Sequence, residues 1–241
     1  MNTVSSPGVF VNHVLELLGR IEYRRAESKE DKLAIYRLRY ECYLREGAIR
    51  RNKTGLFKDS YDSAPNVWIF GLHIDGRLAS SIRIHAASAA HPISPGMTVF
   101  GDLLGPRIAA GETIIDPTRL VVDHDMSRAY PGLAYATVRL GMLASEFCKA
   151  DFALATVRTE HRAFYKRLLS MEPIGEPRAY PGLKRPINLM GVHYPTMKGK
   201  VIARYPFLAS SAVERDFLFG PHRGDMGPRR AAPAGGRRQA A

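Results

Sequence analysis

The sequence predicts a mixed α/β fold. Three observations support this class. Segments with a helical period of about 3.6 alternate with short apolar segments typical of strands, and the dipeptide Asp75-Gly76 separates two of those strand segments. The 241 residues are enough for one good hydrophobic core. The predicted order is helix, hairpin, strand, helix, strand, helix and strand, so we expect one domain in which helices and strands share a core.

The first predicted elements are a short strand and a long helix. Residues 21–26 alternate in the manner of a strand. Ser28 is suited to cap a helix, and Asp31 stands at the position of the capping-box acid. Apolar and aromatic residues then recur at helical spacing until Gly47, which predicts the helix end. The basic, turn-rich residues 48–66 predict a loop.

The hairpin comes next. Its strands are predicted at 67–74 and 78–84, because Asp75-Gly76 tolerates the positive φ of a two-residue turn. Residues 86–111 contain three prolines and four glycines and predict a long excursion between elements. The remaining predicted elements are strands at 113–122, 152–157 and 187–192, a helix that begins at Pro131, and a short helix at 160–169.

The chain divides into three predicted parts: an N-terminal segment at 1–19 expected to form a short helix, a single domain at 20–219, and a tail at 220–241 expected to be disordered. Hydrophobic content is 45%, and no run approaches the ~18 apolar residues of a membrane span. No basic region precedes the apolar stretch near the N-terminus, which argues against a signal peptide. Cys42 and Cys148 form no disulfide framework, so a reduced, cytoplasmic location is expected.

The net charge of +12 favours an acidic partner. Nucleic acid, an anionic membrane surface and an acidic carrier protein all fit this charge. The tail contributes five arginines but no aromatic residue on which a base could stack, and this disfavours nucleic acid. Peripheral membrane contact stays open, and the sequence does not determine the oligomeric state.

Carboxylates and guanidiniums interrupt otherwise apolar strand sequence. Asp116 and Arg119 lie in the strand predicted at 113–122, where a regular strand would send them to opposite faces. Pro117 cannot donate to a strand ladder and favours a bulge, which would bring both side chains to one face. The structural alternative is a salt bridge on an edge strand.

Three more charged residues belong to this candidate site. Asp59 and Asp62 stand three residues apart in the loop, where solvated turn acids are also common. Arg83 is flanked by apolar residues and needs an anionic partner; either Asp62 or Asp116 would serve in a purely structural pair.

Two weaker signals follow. Gly132 lies in a small-residue loop that leads into a helix, a setting suited to an anion, although a plain Pro-Gly turn is an equal alternative. Arg158, His161 and Tyr165 cluster where a strand passes into a helix; Tyr165 could donate a proton to a leaving thiolate, whereas His161 is better explained as a helix-face residue. No metal-ligand spacing, nucleophile elbow or P-loop is present.

With these residues identified, the chain resembles the GNAT-like acyltransferases, meaning the acyl-homoserine-lactone synthases and, more closely, the N-acyl amino acid synthases. The segments that carry the resemblance are 38–43, 59–62, Arg83, 116–120, and 158–165 with the Pro- and Gly-containing motifs at 173–175 and 180–182. It spans roughly residues 20 to 195. The resemblance implies a GNAT-like fold, with a mixed central sheet splayed at a bulged strand and flanked by helices.

The resemblance also implies a reaction. A long acyl chain would pass from acyl carrier protein (ACP) or CoA to the amino group of an amino acid, with no tightly bound cofactor. Asp116 would act as base and Tyr165 as acid, while freed amides at the bulge would receive the oxyanion. Arg119 would be the third catalytic residue, and with Arg83 and Arg39 it would hold the site together and offer positive charge to the amino acid's carboxylate. The remaining residues would have binding roles: Arg39, Asp59, Asp62, Arg83 and Arg158 for the amino acid, and Leu120, Val121, Val122 and Gly132 for the acyl donor.

Two rival functions remain. The first is acyl-homoserine-lactone synthesis from S-adenosylmethionine; Phe57 argues against it, because those synthases carry an acid at this position, and so does Asp rather than Glu at 116. The second is a non-catalytic GNAT-like module whose basic tail binds nucleic acid or membrane.

Overall fold

A computed structural model describes residues 7–180 and 182–221. Its strands are β1 (Ile21–Arg25), β2 (Val67–Ile74), β3 (Arg77–Ala87), β4 (Ile114–Val122), β5 (Phe152–Val157), β6 (Glu172–Pro173) and β7 (Asn188–His193). Its α-helices are α1 (Pro7–Leu18), α2 (Lys29–Arg45), α3 (Pro95–Val99), α4 (Gly101–Ala109), α5 (His124–Ala129), α6 (Leu133–Phe147), α7 (Arg162–Leu169), α8 (Tyr194–Arg204) and α9 (Ala212–Phe219).

The strands form one mixed sheet in the order β1-β2-β3-β4-β5-β7-β6. Neighbouring strands are antiparallel except for β4 and β5, which run parallel. The β2–β3 hairpin turns at Asp75 and Gly76, whose φ values of 51° and 77° confirm the predicted two-residue turn. The expected sheet with flanking helices is therefore confirmed.

Helices cover both faces of the sheet. On one face, α6 packs Leu133, Leu140 and Leu143 against strand residues such as Phe70 and Leu72. The same face carries α1, α7, α8 and α9, which share clusters with α6 or with the sheet residues beneath it. On the other face lie α2, capped as predicted by Ser28, and the pair α3 and α4.

The structure differs from the sequence prediction in several regions, which include the unpredicted helix α5 and the two-residue strand β6. The excursion at 86–111 holds α3 and α4, because Ser94 caps a helix whose first residue is Pro95, and because Phe100 and Leu104 are fully buried in the core. Two further helices, α8 and α9, follow the last predicted strand. The predicted N-terminal helix corresponds to α1, and residues 222–241 of the expected tail lie outside the described residues.

Within residues 7–180 and 182–221, no helix is both long and apolar enough to span a bilayer. Nor does this part of the chain bring three or more His, Cys, Asp or Glu side chains together in a group that could hold a metal ion.

Candidate active site

The sheet opens between β4 and β5. These strands pair only at Ile114 with Phe152 and at Ile115 with Ala153, and then they separate. A cavity of about 630 Å³ lies at the opening. Its wall is formed by residues 117–123, by 156–158 at the end of β5, by the C-terminal half of α2, and by side chains of α7 and of the loop before β7. One consequence is that the β4 edge facing the cavity carries main-chain groups that no strand within residues 7–180 and 182–221 pairs.

The predicted bulge lies in β4, two residues beyond Pro117. Ser81 pairs with Val121 and Arg83 pairs with Thr118, so two residues of β4 face one residue of β3. Arg119 has a φ of 55°, a left-handed conformation that non-glycine residues rarely adopt. The bulge thus turns Arg119 toward the face that Arg83 and Thr118 share, which is also the face of Asp116.

Asp59 joins the two strands at this point. Its carboxylate accepts hydrogen bonds from Arg83 Nη1 at 2.5 Å and from Arg119 Nη2 at 2.7 Å. Asp59 also caps the 3-10 turn at Ser60–Ser63 by accepting from the Tyr61 amide. A single carboxylate therefore holds the loop, the hairpin and the bulge together.

Asp62 holds the second half of this cluster. It lies 2.7 Å from Arg39 of α2 and 3.1 Å from Arg83, and the Asp59 amide donates to it. Arg83 also donates through Nε to the Thr118 hydroxyl at 3.0 Å. The arginine cluster, defined as Arg39, Arg83 and Arg119 with Asp59 and Asp62, is almost entirely buried and contains three guanidiniums for two carboxylates.

Electrostatics keep these carboxylates ionised. Burial opposes the charge on Asp59, but Arg83 and Arg119 outweigh it and lower the pKa of Asp59 to about 2. Burial likewise opposes ionisation of Asp62, and Arg39 and Arg83 reverse the effect, so that its pKa also falls. Burial lowers the pKa of Arg39.

Aromatic rings surround the Arg119 guanidinium. Its Cζ lies 4.2 Å from the ring centre of Phe57, 5.4 Å from that of Tyr180 and 5.5 Å from that of Tyr43. Arg119 and Tyr43 line the cavity. The sequence did not indicate this cage, because its rings come from a helix and two loops that only the fold brings together.

Asp116 lies behind the cavity wall. It is fully buried, it is not a lining residue, and its Oδ2 accepts from the Gly96 amide at 2.7 Å. Its Oδ1 has no partner among the described residues. Burial raises the pKa of Asp116, and hydrogen bonds from Ser94 and Gly96, together with the charge of Arg83, offset only part of that rise.

His85 is the direct β3 partner of Asp116. Its Nε2 lies 3.1 Å from the Tyr61 carbonyl oxygen, which can only accept, so Nε2 carries the proton. The Nδ1 atom has no partner among the described residues. Burial and the nearby Arg83 lower the pKa of His85 to about 4, which keeps the ring neutral near pH 7.

The other predicted site residues divide into two groups. Leu120, Val121, Val122, Arg158 and Tyr165 line the cavity, and Gly132 does not: Val14 and Leu17 of α1 cover it. Arg158 forms an ion pair with Glu46 at 2.6 Å and so links the end of β5 to the end of α2 across the cavity mouth. Burial raises the pKa of Tyr165.

Comparison with known proteins identifies the family of this chain. The model of the family described as N-acyl amino acid synthase FeeM matches residues 34–193, which include the cavity, the bulge and the arginine cluster. The chain belongs to the FeeM family. It is accordingly an acyltransferase with a GNAT-like fold. No curated protein matches the chain in sequence.

Solved structures support the same fold. FeeM, an N-acyl amino acid synthase from uncultured soil microbes, superposes with a TM-score of 0.64 at 18% identity, covering 77% of this chain and 97% of FeeM. The CoA-dependent acyl-homoserine lactone synthase BjaI gives 0.56 at 17% identity, over 78% of this chain and 89% of BjaI. The acyl-homoserine lactone synthase LasI gives a TM-score of 0.54 at 13% identity, covering 77% of this chain and 93% of LasI. This member of the FeeM family therefore shares its fold with the lactone synthases.

Proposed function

We propose that the enzyme transfers a long-chain acyl group from a carrier thioester, acyl-ACP or acyl-CoA, to the α-amino group of an amino acid. One observation carries the proposal: a single cavity is lined both by apolar side chains, such as Leu120, Val121 and Phe164, and by the guanidinium of Arg119. The apolar wall suits an acyl chain, and the cationic wall suits the carboxylate of an amino acid.

The acyl donor would lie along the splayed edge of β4. A thioester placed there could direct its carbonyl oxygen at main-chain amides that no strand pairs, because β5 has separated from β4 by this point. Such donors stabilise the oxyanion that develops during attack, and losing one typically costs ~2.7–4 kcal/mol of transition-state stabilisation.

The amino acid carboxylate would bind at the charge excess of the arginine cluster. Two carboxylates cannot neutralise three guanidiniums, and among the three arginines it is Arg119 that lines the cavity. The aromatic cage leaves Arg119 little freedom to turn away. A substrate carboxylate therefore completes the charge balance at the cavity wall.

The reaction removes two protons from the ammonium nitrogen, one before and one after it attacks, and supplies one proton to the departing thiolate, so one proton goes to solvent overall. An α-amino group with a pKa near ~8 is mostly protonated at neutral pH, and Asp116 is our candidate base, since burial raises its pKa above that of an ordinary carboxyl and so makes it a stronger base. Because Asp116 lies behind the cavity wall, another group must relay the proton from the amine to Asp116. Thr118 lies two residues further along β4 on the same face and lines the cavity, so we assign the relay to its hydroxyl. As nitrogen bonds to the carbonyl carbon and the C–S bond breaks, Tyr165 would protonate the thiolate. The second proton that the nitrogen loses would then return Tyr165 to its neutral form.

The test uses the purified full-length chain with palmitoyl-ACP or palmitoyl-CoA and each of the twenty amino acids. Mass spectrometry should detect an N-acyl amino acid, and a thiol assay should record an equal amount of released carrier. The absence of acyl amide with every amino acid and both donors would overturn the proposal. A product that requires S-adenosylmethionine and appears with methylthioadenosine would instead identify a lactone synthase.

A matched pair of variants locates the acyl chain. Leu120→Trp adds bulk inside the cavity and should shift donor preference toward shorter chains. Ile93→Trp adds the same bulk at a residue that is 42% exposed and outside the cavity, so its preference should match wild type. An unchanged chain-length profile in Leu120→Trp, with its melting temperature preserved, would place the acyl group elsewhere.

A further inference from the structure

A buried histidine and a buried carboxyl group lie side by side in the sheet. His85 of β3 and Asp116 of β4 are direct partners in an antiparallel pair, and both are fully buried. The side chains of direct partners project from the same face of a sheet, with Cβ atoms about 4.5–5.5 Å apart. The imidazole and the carboxyl group are therefore neighbours at a place that solvent does not reach.

Each of these side chains has one polar atom with a partner and one without. The Gly96 amide donates to Asp116 Oδ2 at 2.7 Å, and the Tyr61 carbonyl oxygen accepts from His85 Nε2 at 3.1 Å. Asp116 Oδ1 and His85 Nδ1 are buried and have no hydrogen-bond partner in the part of the chain that the structure describes. While Asp116 is ionised, both atoms are acceptors, because the proton of the neutral ring is on Nε2. Unsatisfied buried acceptors are costly, and one proton between them would satisfy both.

Surrounding contacts hold both groups in this arrangement. Gly96 approaches Asp116 so closely that a Cβ at this position would lie 2.8 Å from Oδ2. The Tyr61 ring packs edge-on against His85, with ring centres 6.0 Å apart, and the Tyr61 hydroxyl donates to Thr98 Oγ1 at 2.6 Å. These contacts restrict the rotation of both groups and reserve Oδ2 and Nε2 for other partners.

The electrostatic environment keeps the ring neutral. The charged and titratable groups that face the pair come from β3, from the loop before β2 and from the segment before β7: Arg83, Asp59, Asp62 and Tyr180. Burial and the charge of Arg83 lower the pKa of His85 to about 4, and the two loop carboxylates offset only part of that fall. Near pH 7, His85 Nδ1 therefore keeps a lone pair that can accept a proton donor.

We propose that His85 is a positioning residue for Asp116: when Asp116 takes up a proton on Oδ1, the new carboxyl O–H donates to the lone pair of His85 Nδ1. This inference rests on the proposed function, in which Asp116 is the base. An N–H bond of the substrate ammonium breaks, the Thr118 hydroxyl passes a proton on, and an O–H bond forms at Oδ1.

The hydrogen bond makes Asp116 a stronger base. It forms with the protonated carboxyl group and not with the carboxylate, so it favours proton uptake. Catalytic hydrogen bonds are often long in the resting enzyme and tighten only during the reaction, which fits the unpartnered atoms of this site. His85 thus acts through Asp116 and needs no contact with substrate.

The experiment measures the pKa of Asp116 in the full chain by carbon-13 NMR of its carboxyl group. No substrate is present, so the outcome is independent of the acyltransferase assay. Asp116→Asn removes one aspartate signal and thereby assigns it. His85→Gln keeps an amide that can donate to the Tyr61 carbonyl but lacks an acceptor at the position of Nδ1. The pKa of Asp116 should be lower in this variant by about one pH unit or more, and an unchanged pKa would overturn the proposal.

Two matched variants separate the acceptor from packing. His85→Asn places a carbonyl oxygen near the position of Nδ1 and should keep the pKa of Asp116 close to its wild-type value. His73→Gln makes the glutamine substitution in β2, near the hairpin turn, at a second histidine whose Nδ1 lacks a partner among the described residues, and it should leave Asp116 unaffected. An equal fall in both variants at position 85, or any fall in His73→Gln, would refute the role of Nδ1.

A measurement on the wild-type protein does not depend on the folding of any variant. Nitrogen-15 NMR of the imidazole rings reports whether His85 Nδ1 accepts a hydrogen bond. As the pH falls, its signal should move at the pH at which Asp116 takes up its proton, before the ring itself is protonated. A signal that does not follow Asp116 would show that the two groups share no proton.

Kinetics then connect the pair to turnover. The acidic limb of the pH profile of kcat should move to lower pH in His85→Gln, because a weaker base stays ionised at lower pH. An unchanged profile would overturn the catalytic role of His85, and with it the assignment of Asp116 as base. Absence of any acyl transfer would refute the proposed function alone, since the NMR titrations still decide whether Asp116 donates to His85.

Discussion

The substitution Asp59→Asn tests whether the arginine cluster depends on one carboxylate. The amide oxygen can still cap the turn at Tyr61, but the negative charge between Arg83 and Arg119 is lost. The pKa of Asp59, about 2 against an ordinary value near 3.9, corresponds to about 2–3 kcal/mol of stabilisation at neutral pH. Breaking a buried ion pair by removing one partner typically costs ~3–5 kcal/mol. The pKa shift and the typical cost of a broken buried ion pair are both consistent with a loss of about 3 kcal/mol in unfolding free energy.

For a chain of this length, that loss corresponds to a melting temperature lower by roughly 6–12 °C. Urea unfolding at pH 7, followed by circular dichroism, measures the free-energy change directly. The matched control is Asp75→Asn, which breaks a pair with Arg20 whose side chains are 75% and 51% exposed. That variant should unfold like wild type, since exposed pairs contribute little.

The pH dependence supplies a second check on Asp59. Its pKa in the folded protein is lower than in the unfolded chain, so its stabilisation is complete above about pH 5 and is lost as the pH falls toward 2. The difference in unfolding free energy between wild type and Asp59→Asn should therefore shrink over that interval. A difference that stays constant from pH 7 to pH 2.5, or a variant as stable as wild type at pH 7, would refute the reasoning.

Three further substitutions address the reaction. Arg119→Lys keeps the charge but loses the planar stacking on Phe57, and kcat/KM should fall at least ten-fold in a thioester-release assay; unchanged kinetics would show that the cage has no role. Asp116→Asn can still accept from Gly96, so turnover should drop ~10²–10⁴-fold while the melting temperature moves by only a few degrees; a large loss of stability would make Asp116 a structural group. Tyr165→Phe should lower kcat with little change in KM, and an unaltered kcat would remove Tyr165 as proton donor.

Local signals predicted those parts of the fold that depend on neighbouring residues. Asp75-Gly76 correctly predicted the hairpin turn, and Ser28 correctly predicted the start of α2. The prediction of a long excursion at 86–111 was wrong. Its proline and glycine content indicated a loop, but the segment forms helices because Phe100 and Leu104 are buried in the core. Tertiary packing outweighed composition.

The charged site was predictable as a set of residues but not as a set of pairs. The alternatives for Arg83 were Asp62 and Asp116, yet its shortest ion pair is with Asp59, and Asp116 bonds to Gly96 instead. The loop before β2 determines these partners by folding back over the sheet, and nothing in its sequence specifies that path. The cage around Arg119 was hidden for the same reason.

The conformation of Arg119 links the stability of the site to its chemistry. A left-handed conformation costs a non-glycine residue ~1–2 kcal/mol, and it persists only when contacts compensate for that cost. Here the Asp59 ion pair and the ring of Phe57 provide those contacts. Because both come from the loop at 48–66, the loop holds the bulge in β4, and the bulge in turn faces the cavity. If the cavity is the site of acyl transfer, as we propose, a change in this loop should alter the geometry of the reaction even at a residue that never touches substrate.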